Sequence, residues 1–356
     1  MACIAALAIS CNSVSGPSVT VPPKIPTPIA FSEIGTHVLP DRRLVELSGE
    51  IVVSDIPSKA KKVQIWVPTP MASTGQQVME PIIESPAAYR PIIRQDLVYS
   101  TPSLFLIVDQ PLQREAEGEA ALLPKEVRMR FTVQVERSRV NDAQKAPSSP
   151  MGDEAMRKEF AADLVLPKSL EAGELAAALA AVPASADNSP FARARAIYNH
   201  VIDAFQPDNA AVQAQSLKDV FAAKKGGALD YAQATVALMR AAGIPSRIES
   251  GVSLPENRSP EAVNVAPNAA WVAFYVDGIG WTACDPFLAD RCPELKDYLF
   301  AGLDANRVKT GVGPAPGLLP LPTAGAPLVL SEAIAEADGK LIPVKMTLVF
   351  RDVCPK

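Results

Sequence analysis

The longest regular pattern in the chain is an alternation between residues 127 and 136. Val127, Met129, Phe131, Val133 and Val135 are apolar, and Arg128, Arg130, Thr132, Gln134 and Glu136 separate them. A period of two puts one set of side chains on each face of a strand, so this segment predicts a half-buried strand of an antiparallel sheet. Val63, Ile65 and Val67 alternate with Lys62, Gln64 and Trp66 in the same way. Pro-rich pieces such as Val67-Pro68-Thr69-Pro70 break such strands, because proline brings no amide proton to the ladder. Residues 31–140 therefore read as an antiparallel β-sandwich, and no titratable cluster stands out within them.

The period changes after a polar, Pro/Ser-rich linker at residues 141–155. Ser189-Pro190 offers a helix cap followed by proline at the first helical position. Ala194, Ile197, Tyr198, Val201, Ile202 and Phe205 then recur at helical spacing. A second helix is expected from about Ala228 to Ala242, with Gly243 as its left-handed stop and Pro245 preventing its return. The glycine pair Gly226-Gly227 reads as a tight turn into that helix. Strands follow at residues 248–252, 271–276 and 281–285, the last two joined by an Asp277-Gly278-Ile279-Gly280 turn. In the second of these, Trp271, Ala273 and Tyr275 share one face, and Val272, Phe274 and Val276 share the other. A long Pro/Gly loop and a last strand at residues 344–350 complete the chain. The fold class is α+β, with a sandwich at residues 31–140, a mixed core at 156–300 and an extension at 301–356 expected to pack on that core.

Composition supports a two-domain globular chain: 356 residues, 48 % of them hydrophobic. The 34 prolines, about twice the usual share, favour loops and edge strands over a helical bundle. A formal net charge of -5 argues against a nucleic-acid partner and against a polybasic membrane contact. The five cysteines form no Cys-x-x-Cys pair, so neither a metal site nor a cofactor is expected. The start, MACIAALAIS, is too short to span a bilayer. Cys11 after Leu7-Ala8-Ile9-Ser10 resembles the cleavage box of a bacterial lipoprotein signal, and the Ser/Val/Pro-rich run after it reads as a tether. Residues 1–30 are thus expected to direct export, with lipidation at Cys11 as the only link to a membrane.

Several ordered motifs in the second half carry a resemblance. A helix opened by Gly-x-x-x-Asp (226–230) leads to Arg-Ala-Ala-Gly-Ile-Pro-Ser-Arg (240–247). Then come Ala-Trp-x-x-Phe-Tyr-Val (270–276) and Gly-Trp-x-x-x-Asp-Pro (280–286). This series resembles the bacterial transglutaminase-like superfamily, which has a papain-like core. The pieces Val-Gln-Ile-Trp-Val-Pro-Thr-Pro (63–70), Gln-Gln-Val (76–78) and residues 299–308 resemble the segments that flank that core, so the likeness runs over about residues 43–349.

The resemblance implies a site with a cysteine at the helix start, a histidine two residues before the tryptophan, and an aspartate. The helix dipole and a histidinium favour the thiolate, and the aspartate orients the imidazole. Carried over position by position, the nucleophile falls on Ala228, the histidine on Ala269 and the aspartate on Asp285. A methyl group has neither a lone pair nor a proton to lose. Asp230, Trp271 and Trp281 remain as framework residues and are candidates for lining a binding cleft; their ordinary roles are a helix-terminal charge and two core indoles. Cys284 is expected to face away from Asp285 and to be a core residue. His37 and His200 lie outside the motifs, and Gly311-Val312-Gly313-Pro314 replaces the Gly-Arg-Asp that often follows in the family. Drift around the vacant positions, at Asn268-Ala269-Ala270 and Pro286-Phe287, fits a natural pseudoenzyme better than a designed double substitution. The leading expectation is an exported, inactive protein that binds a peptide or protein partner. The alternatives are an active cysteine-protease-like or acyl-transfer enzyme and a structural module of the cell envelope.

Overall fold

The computed structural model describes residues 31–86, 91–109, 123–141, 153–185, 187, 189–208, 215–313, 318–325 and 327–353. The lipidation site, the tether and much of the expected linker lie outside these residues. The long period-two run forms the strand Val127–Ser138, which pairs antiparallel with Arg42–Val53 from end to end. The strand Val344–Asp352 covers the other side of Arg42–Val53, with Val263–Val265 outside it; Gln76–Val78 and Ile82–Glu84 pair with Val127–Ser138. A second sheet runs Lys340–Leu341, Ile334–Ala337, Lys62–Pro68, Pro102–Asp109, Ile92–Gln95. Between the sheets, Val45, Leu47, Ile51 and Val133 pack with Val63, Ile65, Leu104 and Leu106. Each such side chain contributes about 1.5–3 kcal/mol when fully buried. Gly49 interrupts this apolar face because Phe131 lies directly across from it: a Cβ there would sit 2.3 Å from the ring.

The extension divides between the two halves, which corrects the expectation that it packs on the core. Among its described strands only Arg307–Gly313 joins the core sheet, beside Ser246–Ser253. Ile334–Ala337 and Val344–Asp352 return to the sandwich, one in each sheet. Leu348 and Phe350 supply apolar area that the sandwich interior would otherwise lack. The seam is polar and bonded: buried Arg43 gives its Nε to Asp352 Oδ1 at 2.7 Å, its Nη2 to Asp352 Oδ2 at 2.9 Å and its Nη1 to Asn306 Oδ1 at 2.7 Å.

The core sheet runs Gly280–Cys284, Ala269–Val276, Ser246–Ser253, Arg307–Gly313, all antiparallel. Helices cover one face. Ile248, Val272, Phe274 and Cys284 meet Tyr231, Ala234 and Leu238 of the helix Ala228–Ala241. The opposite face, with Arg247, Glu249 and Ala273, turns toward Met71 and Arg137 of the sandwich. The local signals hold where they were read. Ser189 Oγ accepts the Ala192 N–H at 3.1 Å and opens the helix Pro190–Ala204, and Gly243 takes φ +78° after Ala242. The hairpin pairs Val276 with Gly280. Gly226 has a different reason from the expected turn. A Cβ there would lie 2.5 Å from the Asp230 side chain, so the missing side chain makes room for that carboxylate.

Candidate functional site

The helix Ala228–Ala241 begins at the first residue of interest, with Gly227 as its cap. Such a start leaves amide protons without intrahelical acceptors and carries the positive end of the helix dipole. Ala269 opens the strand Ala269–Val276 and lies opposite Gly251. Gly251 in turn lies against the neighbouring strand so closely that a Cβ would meet Val308 O at 2.0 Å, which holds this end of the sheet tight. Asp285 follows the strand Gly280–Cys284 and is the cap of the short helix Pro286–Arg291, rather than a strand residue as expected. Ala228, Ala269 and Asp285 nevertheless line one cavity of about 120 Å³, together with Phe287 and Arg307.

Both oxygens of the buried Asp285 carboxylate are in use. Oδ1 accepts the Leu288 N–H at 2.8 Å, and Oδ2 accepts a charge-assisted bond from Arg307 Nη1. Arg307 Nε reaches Asp304 Oδ2 at 3.2 Å, so one cation sits between two carboxylates. Burial works against the Arg307 charge, but Asp304 and Asp285 outweigh it and hold the guanidinium pKa above its ordinary value. Arg307 Nη2 is buried without a partner among the described residues. The guanidinium also lies 5.7 Å from the centre of the Trp271 ring. Sequence reasoning missed this residue as a site member, although it read Asn306-Arg307-Val308 as part of the flanking pattern. The signal available was the close acidic neighbour in Asp304-Ala305-Asn306-Arg307.

The three framework residues do not line this cavity. Asp230 is 1 % exposed and works as a helix-start clamp: its carboxylate accepts Gly227 N at 3.0 Å and Gln215 N at 2.8 Å. Trp271 packs with Ala283 and Leu303, and its Nε1 donates to Glu249 Oε2 at 2.8 Å. Trp281 lies along a different cavity, beneath Arg247. Cys284 is fully buried in the helix-side core, where burial raises its thiol pKa well above the ordinary value, so it supplies no thiolate. His37 lies between Glu256 and Glu294, and His200 is half-buried on the helix Pro190–Ala204; neither lines this cavity.

A match to the family model of the transglutaminase-like superfamily spans residues 177–286, the stretch that contains all three positions. This stretch is a transglutaminase-like core. A solved structure of a candidate cysteine protease from Cytophaga hutchinsonii aligns with 92 % of this chain and 94 % of its own, at 13 % identity and a TM-score of 0.57. The transglutaminase-like core and its sandwich therefore share one architecture with that protein. The periplasmic domain of TgpA from Pseudomonas aeruginosa aligns at 17 % identity over 75 % of each chain, with a TM-score of 0.34. No curated protein matches the sequence.

Proposed function

We propose that the chain is a non-catalytic transglutaminase-like protein whose cleft holds a peptide or protein segment without reacting with it. One observation carries the reading: two methyl groups, of Ala228 and Ala269, share a cavity with a carboxylate already bound to Arg307 and Leu288. Acyl transfer needs a nucleophile and a proton acceptor within hydrogen-bond reach of each other; the methyl groups at 228 and 269 supply neither, and the reading takes Ser253 and Asp208, which also line the cavity, as no substitute for them. In unrelated hydrolases the loss of triad members costs about 10⁴–10⁶ in rate. Recognition of an amide needs less. The positive end of the Ala228–Ala241 helix and the Arg307 guanidinium, which lines the cavity, suit the carbonyl oxygens of a peptide. Export with a lipid on Cys11 belongs to the same reading and rests on the sequence of residues 1–28; described helices long and apolar enough to cross a membrane are absent.

The test is to mix the protein with a protease digest of casein and a small primary amine, separate bound from free peptide by size exclusion, and weigh the peptides. The reading expects a retained subset of unchanged mass, lost when Ala228→Trp fills the cavity. Hydrolysed, deamidated or amine-modified peptides would contradict the non-catalytic half, and retention that survives Ala228→Trp would contradict the cleft as the binding place.

A further inference from the structure

The second cavity is the more cationic: three cations and one carboxylate line it, against two of each around Ala228. It has a volume of about 320 Å³ and lies between the loop at Met71–Thr74 and the sandwich-facing side of the core sheet. It shares no lining residue with the cavity at Ala228. Its origin is legible in the strand Val127–Ser138. The apolar face there runs Val127, Met129, Phe131, Val133, Val135, and the next residue on that face is Arg137. The pleat that buries five apolar side chains thus carries a guanidinium inward, to 3 % exposure.

We infer that this cavity binds a small organic oxyanion, a carboxylate or phosphate with an apolar or aromatic body, through Arg137 and Arg247. Among the charged groups that line it, three are cations, Arg137, Arg247 and Lys309, and one is a carboxylate, Glu249; Asp304 acts on Arg137 and Asp163 on Arg247 from outside the lining. Glu249 is already committed: Lys309 Nζ lies 2.9 Å from Oε1, and Trp271 Nε1 occupies Oε2. The charge left over belongs to the two arginines. Both have a buried Nε without a hydrogen-bond partner among the described residues. A guanidinium presents paired N–H groups in a plane, the geometry that matches a carboxylate or phosphate edge. Burial pushes the Arg137 pKa down to about 10, which leaves it cationic at neutral pH. Leaving a buried cation so poorly bonded is costly, and an anion removes that cost.

The walls decide what accompanies the anionic group. Arg247 lies 4.0 Å from the centre of the Trp281 ring, so the indole covers one face of the guanidinium and leaves its N–H edge for a ligand. Tyr99, Met71 and Leu303 add apolar surface. The cavity measures about 320 Å³. That exceeds the needs of a bare inorganic ion and suits a compact molecule with an apolar part.

Calorimetry on the purified full chain tests the assignment, with benzoate, phenyl phosphate, acetate and inorganic phosphate as probes. The expected result is saturable one-to-one binding of benzoate or phenyl phosphate, at least tenfold tighter than acetate or inorganic phosphate. The tighter of the two aromatic probes identifies carboxylate or phosphate as the preferred group. Arg137→Gln should weaken binding at least tenfold. Thr74→Trp, at an exposed wall position that places no demand on folding, should weaken it too, so the test survives a misfolded Arg137 variant. Binding unchanged by Thr74→Trp and by a folded Arg137→Gln, equal affinity for the bare ions, or no saturable heat from any probe would overturn the inference.

Discussion

The two cavities both border the core sheet and handle charge in opposite ways. Around Ala228 the lining ions balance, Asp208 and Asp285 against Arg291 and Arg307; Arg307 is shared between Asp285 and Asp304, and two of the three positions that the family resemblance assigns to chemistry are methyl groups. Around Arg137 the lining keeps a cationic excess, because Glu249 is spent on Lys309 and Trp271 while two guanidinia keep unbonded Nε atoms. A closed ion network reads as structure, and an open one reads as a place for something to bind. The contrast also separates fold from function here. The transglutaminase-like core keeps its fold around the methyl groups of Ala228 and Ala269, and the more cationic cavity sits at the seam with the sandwich.

The largest expected effect breaks the closed network. Arg307→Ala would leave two buried carboxylates without their cation, and such losses cost about 3–5 kcal/mol. Urea denaturation should show that fall in midpoint at unchanged slope, whereas a cost under about 1 kcal/mol would mean that Asp285 and Asp304 are not held by Arg307. The same measurement on Arg137→Gln sharpens the comparison. That change removes a buried charge with an unbonded Nε, so the expected effect is within about 1 kcal/mol of neutral. A large loss there would show that Arg137 is a structural member like Arg307.

Much of this was legible from the sequence because it depends on neighbours along the chain. The period-two run placed Val127–Ser138, the Ser189-Pro190 pair opened its helix, and Gly243 stopped the next one. Ala228, Ala269 and Asp285, singled out by the resemblance, line one cavity. What escaped was pairing at long range. Arg307 and Asp285 are brought together by a strand order that no local pattern specifies. Val344–Asp352 was legible as a strand, but its partner was not, since an apolar alternation does not say which open edge it will cover. Arg137 was visible on the apolar face and passed over, because a charged residue at a strand end ordinarily points to solvent.

A smaller effect checks that neither cavity drives stability near neutral pH. Side-chain hydrogen bonds to Glu256, and also to Glu294, raise the His37 pKa despite some desolvation. A raised folded-state value means that the contribution is full below the unfolded pKa of about 6.5 and is lost as pH rises through the higher folded value. Burial lowers the His200 pKa, with the opposite dependence. His37→Gln should therefore lower the melting temperature more at about pH 6 than at about pH 9, by a degree or so for a surface-type pair. An equal shift at both values would remove His37 as the titrating group.

The central claim is that positions 228, 269 and 285 still form the site of a transglutaminase-like enzyme that has lost its reactive groups. It is tested most directly by restoring them and following thiol alkylation against pH in Ala228→Cys and in Ala228→Cys/Ala269→His. The helix start should favour a thiolate by about 0.3–1 kcal/mol in the single variant. An imidazolium at position 269 should lower the thiol pKa further, well below the ordinary value of about 8.5. The account predicts that ordered decrease. A thiol pKa near 8.5 in both variants would contradict it, because the three positions would then share a cavity without forming a site.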